Sequence, residues 1–193
     1  MGDGMKKFAL TMVGVMFLSG CTVNLPFNNR LAYTAMKEVK EENVNPKYEK
    51  ISIDWEPSTF PSRIDVQGAD GFVGGGSRTR IPTGVALSSR IEEALSAHVD
   101  VNKSGMPLLI KVLDARSGFE YSAGIFNITP TIDVGTVYFK AMFTIDGTSW
   151  ENEFKSQVKD PTVGGTSQTG TLESAWDNVA IDVAKDIMKH IRK

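Results

Sequence analysis

VGTVYFKAMFTIDGTSWENEF, residues 134–154, decides the fold. Val137, Phe139, Ala141, Phe143 and Ile145 alternate with Thr136, Tyr138, Lys140, Met142 and Thr144, the period of two expected of a strand with one buried face. Asp146-Gly147 follows at once. A type I′ turn needs two residues that tolerate positive φ, so Asp-Gly between alternating runs is a strong hairpin signal. A two-residue turn also sets the register. It pairs Ile145 with Thr148, Phe143 with Trp150, Ala141 with Asn152 and Phe139 with Phe154 on the inner face, and Lys140 with Glu153 on the outer one.

Upstream of the hairpin, Leu108, Leu109, Ile110, Val112 and Leu113 surround a single Lys111, which predicts a central strand over 108–117. Lys50 to Trp55 alternates Ile51 and Ile53 against Ser52 and Asp54, a strand with one buried face. Between them Leu87, Ile91, Ala94, Leu95 and His98 recur at helical spacing, predicting a helix over 85–99 with Thr83 as its N-cap and Arg90, Glu92 and Glu93 turned outward. His98 reads as a packing residue at the end of that stripe. A second helix is predicted over 172–191, capped by Thr171. Its buried side is Leu172, Trp176, Val179, Ile181, Val183, Ile187 and Ile191, with Asp177, Asp182 and Asp186 early or outward and Lys185, Lys189 and Arg192 late, as the helix dipole favours. The order describes an α+β domain: a mainly antiparallel sheet of about four strands with two helices packed on one face.

Residues 62–84 are rich in glycine yet hold Phe72 and Val73, and a short strand at 64–66 precedes the glycines. There is no Gly-Lys-Ser/Thr and no Gly-x-Gly-x-x-Gly opening into a helix, so neither phosphate-cradling pattern fits. The stretch reads as a mobile loop; the alternative is a loop that meets a partner through Gly71, Phe72, Val73, Arg78 and Arg80, whose arginines can hold an anion.

The N-terminus locates the protein. Lys6 and Lys7 precede an apolar run from Phe8 to Leu18, the n-region and h-region of an export signal. At 1.5 Å per residue that run spans roughly 16 Å, about half of the ~30 Å a membrane-crossing helix must cover. Leu18-Ser19-Gly20-Cys21 resembles the lipobox of bacterial lipoproteins. The resemblance implies that Cys21 is acylated and becomes the first mature residue, and that Thr22 and Val23, with no Asp at the second mature position, direct the protein to the outer membrane. A plain signal peptide with an incidental thiol at position 21 is the alternative. The chain thus divides into a signal peptide at 1–20, a tether at 21–47 and a periplasmic domain at 48–193. The tether reads as a solvated spacer, with a short helix near Ala32 to Val39 as the other reading. From the lipobox onward the order of elements is similar to that of YajG-like small envelope lipoproteins, and more distantly to lipopolysaccharide-assembly and transporter-auxiliary lipoproteins. That likeness implies a class and no site residue.

Composition narrows the chemistry. With 193 residues, 21 Lys+Arg and 23 Asp+Glu, there is no basic excess for a phosphate backbone, so no nucleic-acid partner is expected. Two His and one Cys cannot build a Cys/His zinc site, and no metal or cofactor is expected. No Gly-x-Ser-x-Gly elbow is present. The carboxylate pairs Glu92/Glu93 and Glu151/Glu153 read as solvated helix and sheet surfaces. The expectation is a non-catalytic module, anchored to the membrane through acyl chains on Cys21 and serving an envelope protein partner. The alternative is a lipid- or glycan-handling accessory of a transporter, which requires an apolar groove between helices and sheet.

Overall fold

The computed structural model describes residues 22–24, 27–41, 45–62, 65–68, 78–120, 133–160 and 169–192. Strands are β1 (Thr22–Asn24), β2 (Lys50–Glu56), β3 (Asp65–Gly68), β4 (Arg78–Ile81), β5 (Asp100–Val101), β6 (Met106–Glu120), β7 (Asp133–Ile145) and β8 (Thr148–Asp160). Helices are α1 (Tyr33–Glu41), α2 (Thr83–Leu95) and α3 (Gly170–His190), with one 3₁₀ turn at Phe60–Ser62.

The α+β class holds, but the sheet differs from the expectation. It has five strands in the order β5-β2-β6-β7-β8, and β2 runs parallel to both β5 and β6. The chain between β2 and β6 passes through α2, and a helical crossover returns a chain to the end of the sheet it left, which makes the next strand parallel. Three helices are described where two were expected. Within the stretch expected to be a loop, β3 and β4 pair antiparallel, and β1 joins β4 in parallel to complete a small second sheet.

The β7–β8 hairpin has the register its turn dictates: Ile145 faces Thr148, Phe143 faces Trp150, Ala141 faces Asn152 and Phe139 faces Phe154. Asp146 and Gly147 both have positive φ, 49° and 75°. Phe143 stacks on Trp150 with ring centres 5.3 Å apart. Lys140 lies opposite Glu153, yet its ammonium bonds the diagonal Glu151 at 2.9 Å while Tyr138 donates to Glu153. A bulge at Leu113 in β6 lets Leu108, Ile110, Ala115 and Phe119 share the inner face. Leu113 itself is exposed.

The core lies between this face and the helices. Phe139, Phe143, Trp176, Leu87, Ile91 and Leu95 are all fully buried. Burying such aromatic and aliphatic side chains stabilises by about 1.5–3 kcal/mol each. Trp176 keeps its polar handle satisfied, donating its indole N–H to Ser117 Oγ at 2.9 Å, and the Thr83 hydroxyl donates to the same oxygen at 2.8 Å. One serine of β6 thereby ties α2 to α3. α3 meets β7 most closely at Gly135, where any Cβ would stand 2.4 Å from the backbone nitrogen of Leu172.

Four expectations about side chains are corrected. Thr83 is the first helical residue, behind Pro82 at the cap position. Thr169, not Thr171, occupies the cap of α3, and the buried Thr171 hydroxyl has no hydrogen-bond partner. Arg90 is buried rather than outward. Asp177 and Asp186 are buried as well. Each charged group is inside because a partner is waiting for it there.

Candidate functional site

The strongest concentration of buried charge lies where the N-terminal segment meets α2 and α3. Arg90 Nε donates to Asp177 Oδ1 at 2.7 Å, with the two side chains 1% and 10% exposed. Its Nη1 donates to the Ala86 carbonyl at 3.3 Å, and its Nη2 to the carbonyl of Asn28. The guanidinium also lies 5.3 Å from the ring centre of Trp176, a cation–π distance. Asp177 accepts the backbone N–H of Ala32 at 3.2 Å. Burial raises the Asp177 carboxyl above the ordinary aspartate range, and the neighbouring Arg90 opposes that shift.

Two further carboxylates extend the grip. Glu93 Oε2 accepts the Leu31 N–H at 2.7 Å, and its Oε1 pairs with Arg30 at 2.9 Å. Glu173 Oε1 accepts the Asn28 N–H at 3.0 Å. Apolar contacts finish the clasp: Phe27 meets Trp176 edge-on at 5.9 Å, Leu31 and Val39 are buried, and Glu38 of α1 pairs with Lys185 of α3 at 3.0 Å. Residues 27–41, which fall within the expected tether, are therefore docked on the domain, and the short helix near Ala32 to Val39 is formed.

A second cluster lies along the other half of α3. Asp186 accepts the Trp150 indole N–H at 2.8 Å and the Asn152 amide at 3.1 Å. The His190 ring stacks on Trp150, centres 3.9 Å apart and planes 12° off parallel. Beside them an open hollow of about 550 Å³ is lined by Asn152, Glu153, Phe154, Asp182, Lys185, Asp186, Lys189 and Arg192. Burial raises the Asp182 carboxyl above its usual range, with Lys185 opposing. Another hollow, of about 590 Å³, opens at the β5 edge, where Ile53, Val101 and Pro107 mix with Asp54, Glu92 and Lys103. Both are open, and charged and apolar side chains share their linings. Neither is the apolar groove that an acyl chain requires.

Glu92 accepts the Trp55 indole N–H at 3.0 Å, and Asp186 is held by two donors, so both carboxylates already serve as hydrogen-bond acceptors within the fold. Among the described residues no three His, Cys, Asp or Glu side chains gather as metal ligands. No helix among them is long and apolar enough to cross a membrane.

The residues singled out by sequence are distributed as follows. Cys21, Gly71, Phe72 and Val73 lie outside the described residues. Thr22 and Val23 are in β1, in register with Arg78 and Thr79 of β4. Arg80 is exposed on β4 opposite Asn24. The sequence reading placed Arg90 and Asp177 outward and so did not bring them together. A signal for the first was present, since Ala86, Arg90 and Ala94 stand four apart and put the guanidinium on the apolar stripe of α2.

The fold and the clasp together define an α+β domain on which residues 27–41 are docked. No family model matches the chain, and no curated protein does. Among solved structures it is similar to a minor lipoprotein from Acinetobacter baumannii, 14% identical with a TM-score of 0.39 over 75% of this chain and 92% of that one. It is also similar to a Xanthomonas campestris protein of the DUF330 family, 11% identical with a TM-score of 0.43 over 86% of this chain and 92% of the other.

Proposed function

We propose that this chain is a lipid-anchored lipoprotein of the outer membrane, facing the periplasm, whose domain is a non-catalytic binding or scaffolding module for an envelope protein partner. The observation that carries the reading is Leu18-Ser19-Gly20-Cys21 placed directly after Lys6, Lys7 and the apolar run 8–18. Several acyl chains on one residue give stable membrane anchoring, because each buried methylene contributes ~0.8 kcal/mol. The clasp supports the reading from the domain side. A segment fixed by Arg90, Asp177, Glu93 and Glu173 transmits the position of the anchor to the whole domain. The filled seam between helices and sheet, with Phe139, Phe143 and Trp176 fully buried, favours a module that binds on its surface over one that carries a lipid inside.

Cys21→Ser tests the anchor. Expressed in a bacterium, the native chain partitions with outer-membrane fractions and the variant is released with soluble periplasmic protein. Equal partitioning of the two would contradict an anchor at position 21. Recovery of a bound lipid and no protein from the native material would replace the scaffold reading with that of a lipid-handling accessory.

A further inference from the structure

β1 begins one residue after Cys21. Thr22, Val23 and Asn24 pair in parallel with Arg78, Thr79 and Arg80, and by Phe27 the chain is packed on Trp176. One residue extends a chain by no more than ~3.6 Å. A lipid on Cys21 would consequently hang from the edge of the small β1-β4-β3 sheet rather than from the end of a spacer. β4, the middle strand of that sheet, lies directly beside β1. Two arginines of β4, at positions 78 and 80, are the register partners of the first and third residues after the cysteine. β4 has an inner side, where Ile81 is 2% exposed, and Arg80 beside it is exposed.

We infer that the domain sits directly on the bilayer, with the β1 edge of the small sheet at headgroup level and Arg78 and Arg80 of the adjoining strand binding anionic lipid phosphates. This inference rests on the acylation of Cys21 proposed above and goes beyond it. An anchor alone fixes where the chain ends; the paired strand fixes which surface of the domain meets the membrane. Basic side chains close to an anionic leaflet are attracted within about a Debye length, roughly 8 Å at physiological salt, so the strand paired with the first residues after the anchor is in range and the far end of the domain is not. Thr148, beside the β7–β8 turn, marks that far end. β7 starts near the first turn of α3, where Gly135 meets Leu172, and runs the length of the sheet to reach the turn.

The test uses the acylated full chain in vesicles. Since the chain has a single cysteine, consumed by lipid, a new thiol at Arg80→Cys or Thr148→Cys takes a nitroxide label uniquely. In vesicles of phosphatidylcholine and phosphatidylglycerol at a ratio of about 7:3, the label at position 80 is expected to be at least threefold less accessible to a water-soluble relaxing agent than the label at 148. Arg78 remains as a cation in the Arg80→Cys protein. The protection at position 80 should therefore fall by about half in vesicles of phosphatidylcholine alone. Equal accessibility at 80 and 148, in a sample whose Cys21 is acylated by mass, overturns the seating and leaves the anchor standing. Protection indifferent to lipid charge overturns the role of the arginines. An unacylated Cys21 overturns both this inference and the reading beneath it.

Discussion

Arg90→Met lowers the stability of the folded protein by about 3–5 kcal/mol, because it leaves the buried Asp177 carboxylate without its counter-charge. The pair is nearly water-free, with Arg90 1% exposed at its side chain, so solvent cannot step in for the lost guanidinium. The pH dependence has a definite sign. Asp177 already binds its proton more tightly in the fold than an ordinary aspartate, since burial is the dominant influence on it. A group whose folded pKa is raised favours the fold fully below its unfolded pKa and loses that contribution as pH rises through the folded value. Without Arg90 the opposing influence disappears and the shift grows. The deficit of Arg90→Met is therefore largest near neutral pH and narrows as the pH falls toward the ordinary aspartate range, near 4. Chemical denaturation at pH 7 and pH 4.5 measures both the loss and its relief. The double variant Arg90→Met, Asp177→Leu recovers part of the stability, because an apolar pair avoids the buried charge altogether. It cannot recover the hold on Asn28 and Ala32, so limited proteolysis cuts within residues 28–41 faster than in the native protein.

Gly135→Ala is expected to cost at least as much as an ordinary overpacking substitution, about 1–3 kcal/mol, and to displace the start of α3. The added methyl would stand 2.4 Å from the Leu172 nitrogen and 2.5 Å from the Thr171 carbonyl carbon, both backbone atoms. A flexible side chain can swing aside; a helix turn must move as a unit. That turn carries Leu172 and leads to Trp176, which sits under Arg90 and against Phe27. The disturbance thus reaches the clasp. Thermal unfolding followed by tryptophan fluorescence checks it, with about 2–4 °C of Tm expected per kcal/mol at this chain length.

How much was readable from the residues differs from element to element for physical reasons. The β7–β8 register followed from two letters, Asp146-Gly147, because a type I′ turn leaves no freedom in the pairing. The parallel pairing of β2 with β6 was overlooked although its cause was in view: a helix at 83–95 stands between the two strands and acts as the crossover. β5, at two residues, is too short to carry a period. The clasp was illegible for another reason. Charged residues on a helix look solvated unless a partner is known, and the partner of Arg90 stands 87 positions away on α3. Its two other side-chain hydrogen bonds go to the carbonyls of Asn28 and Ala86, backbone groups that leave no mark in a sequence. The glycine stretch misled in part, since Arg78 to Ile81 form a strand inside it. By contrast, the lipidation motif is wholly a matter of sequence, with Cys21 outside the described residues.

The clasp and the paired β1 strand would give the proposed anchor its structural meaning, so the chemical state of one sulfur atom is the most direct test. Mass spectrometry of the N-terminal peptide, released from protein extracted from native membranes, reads that state. The account predicts a peptide that starts at Cys21 and carries fatty-acyl mass on it. A peptide with a free thiol at position 21, or one that retains residues 1–20, contradicts it.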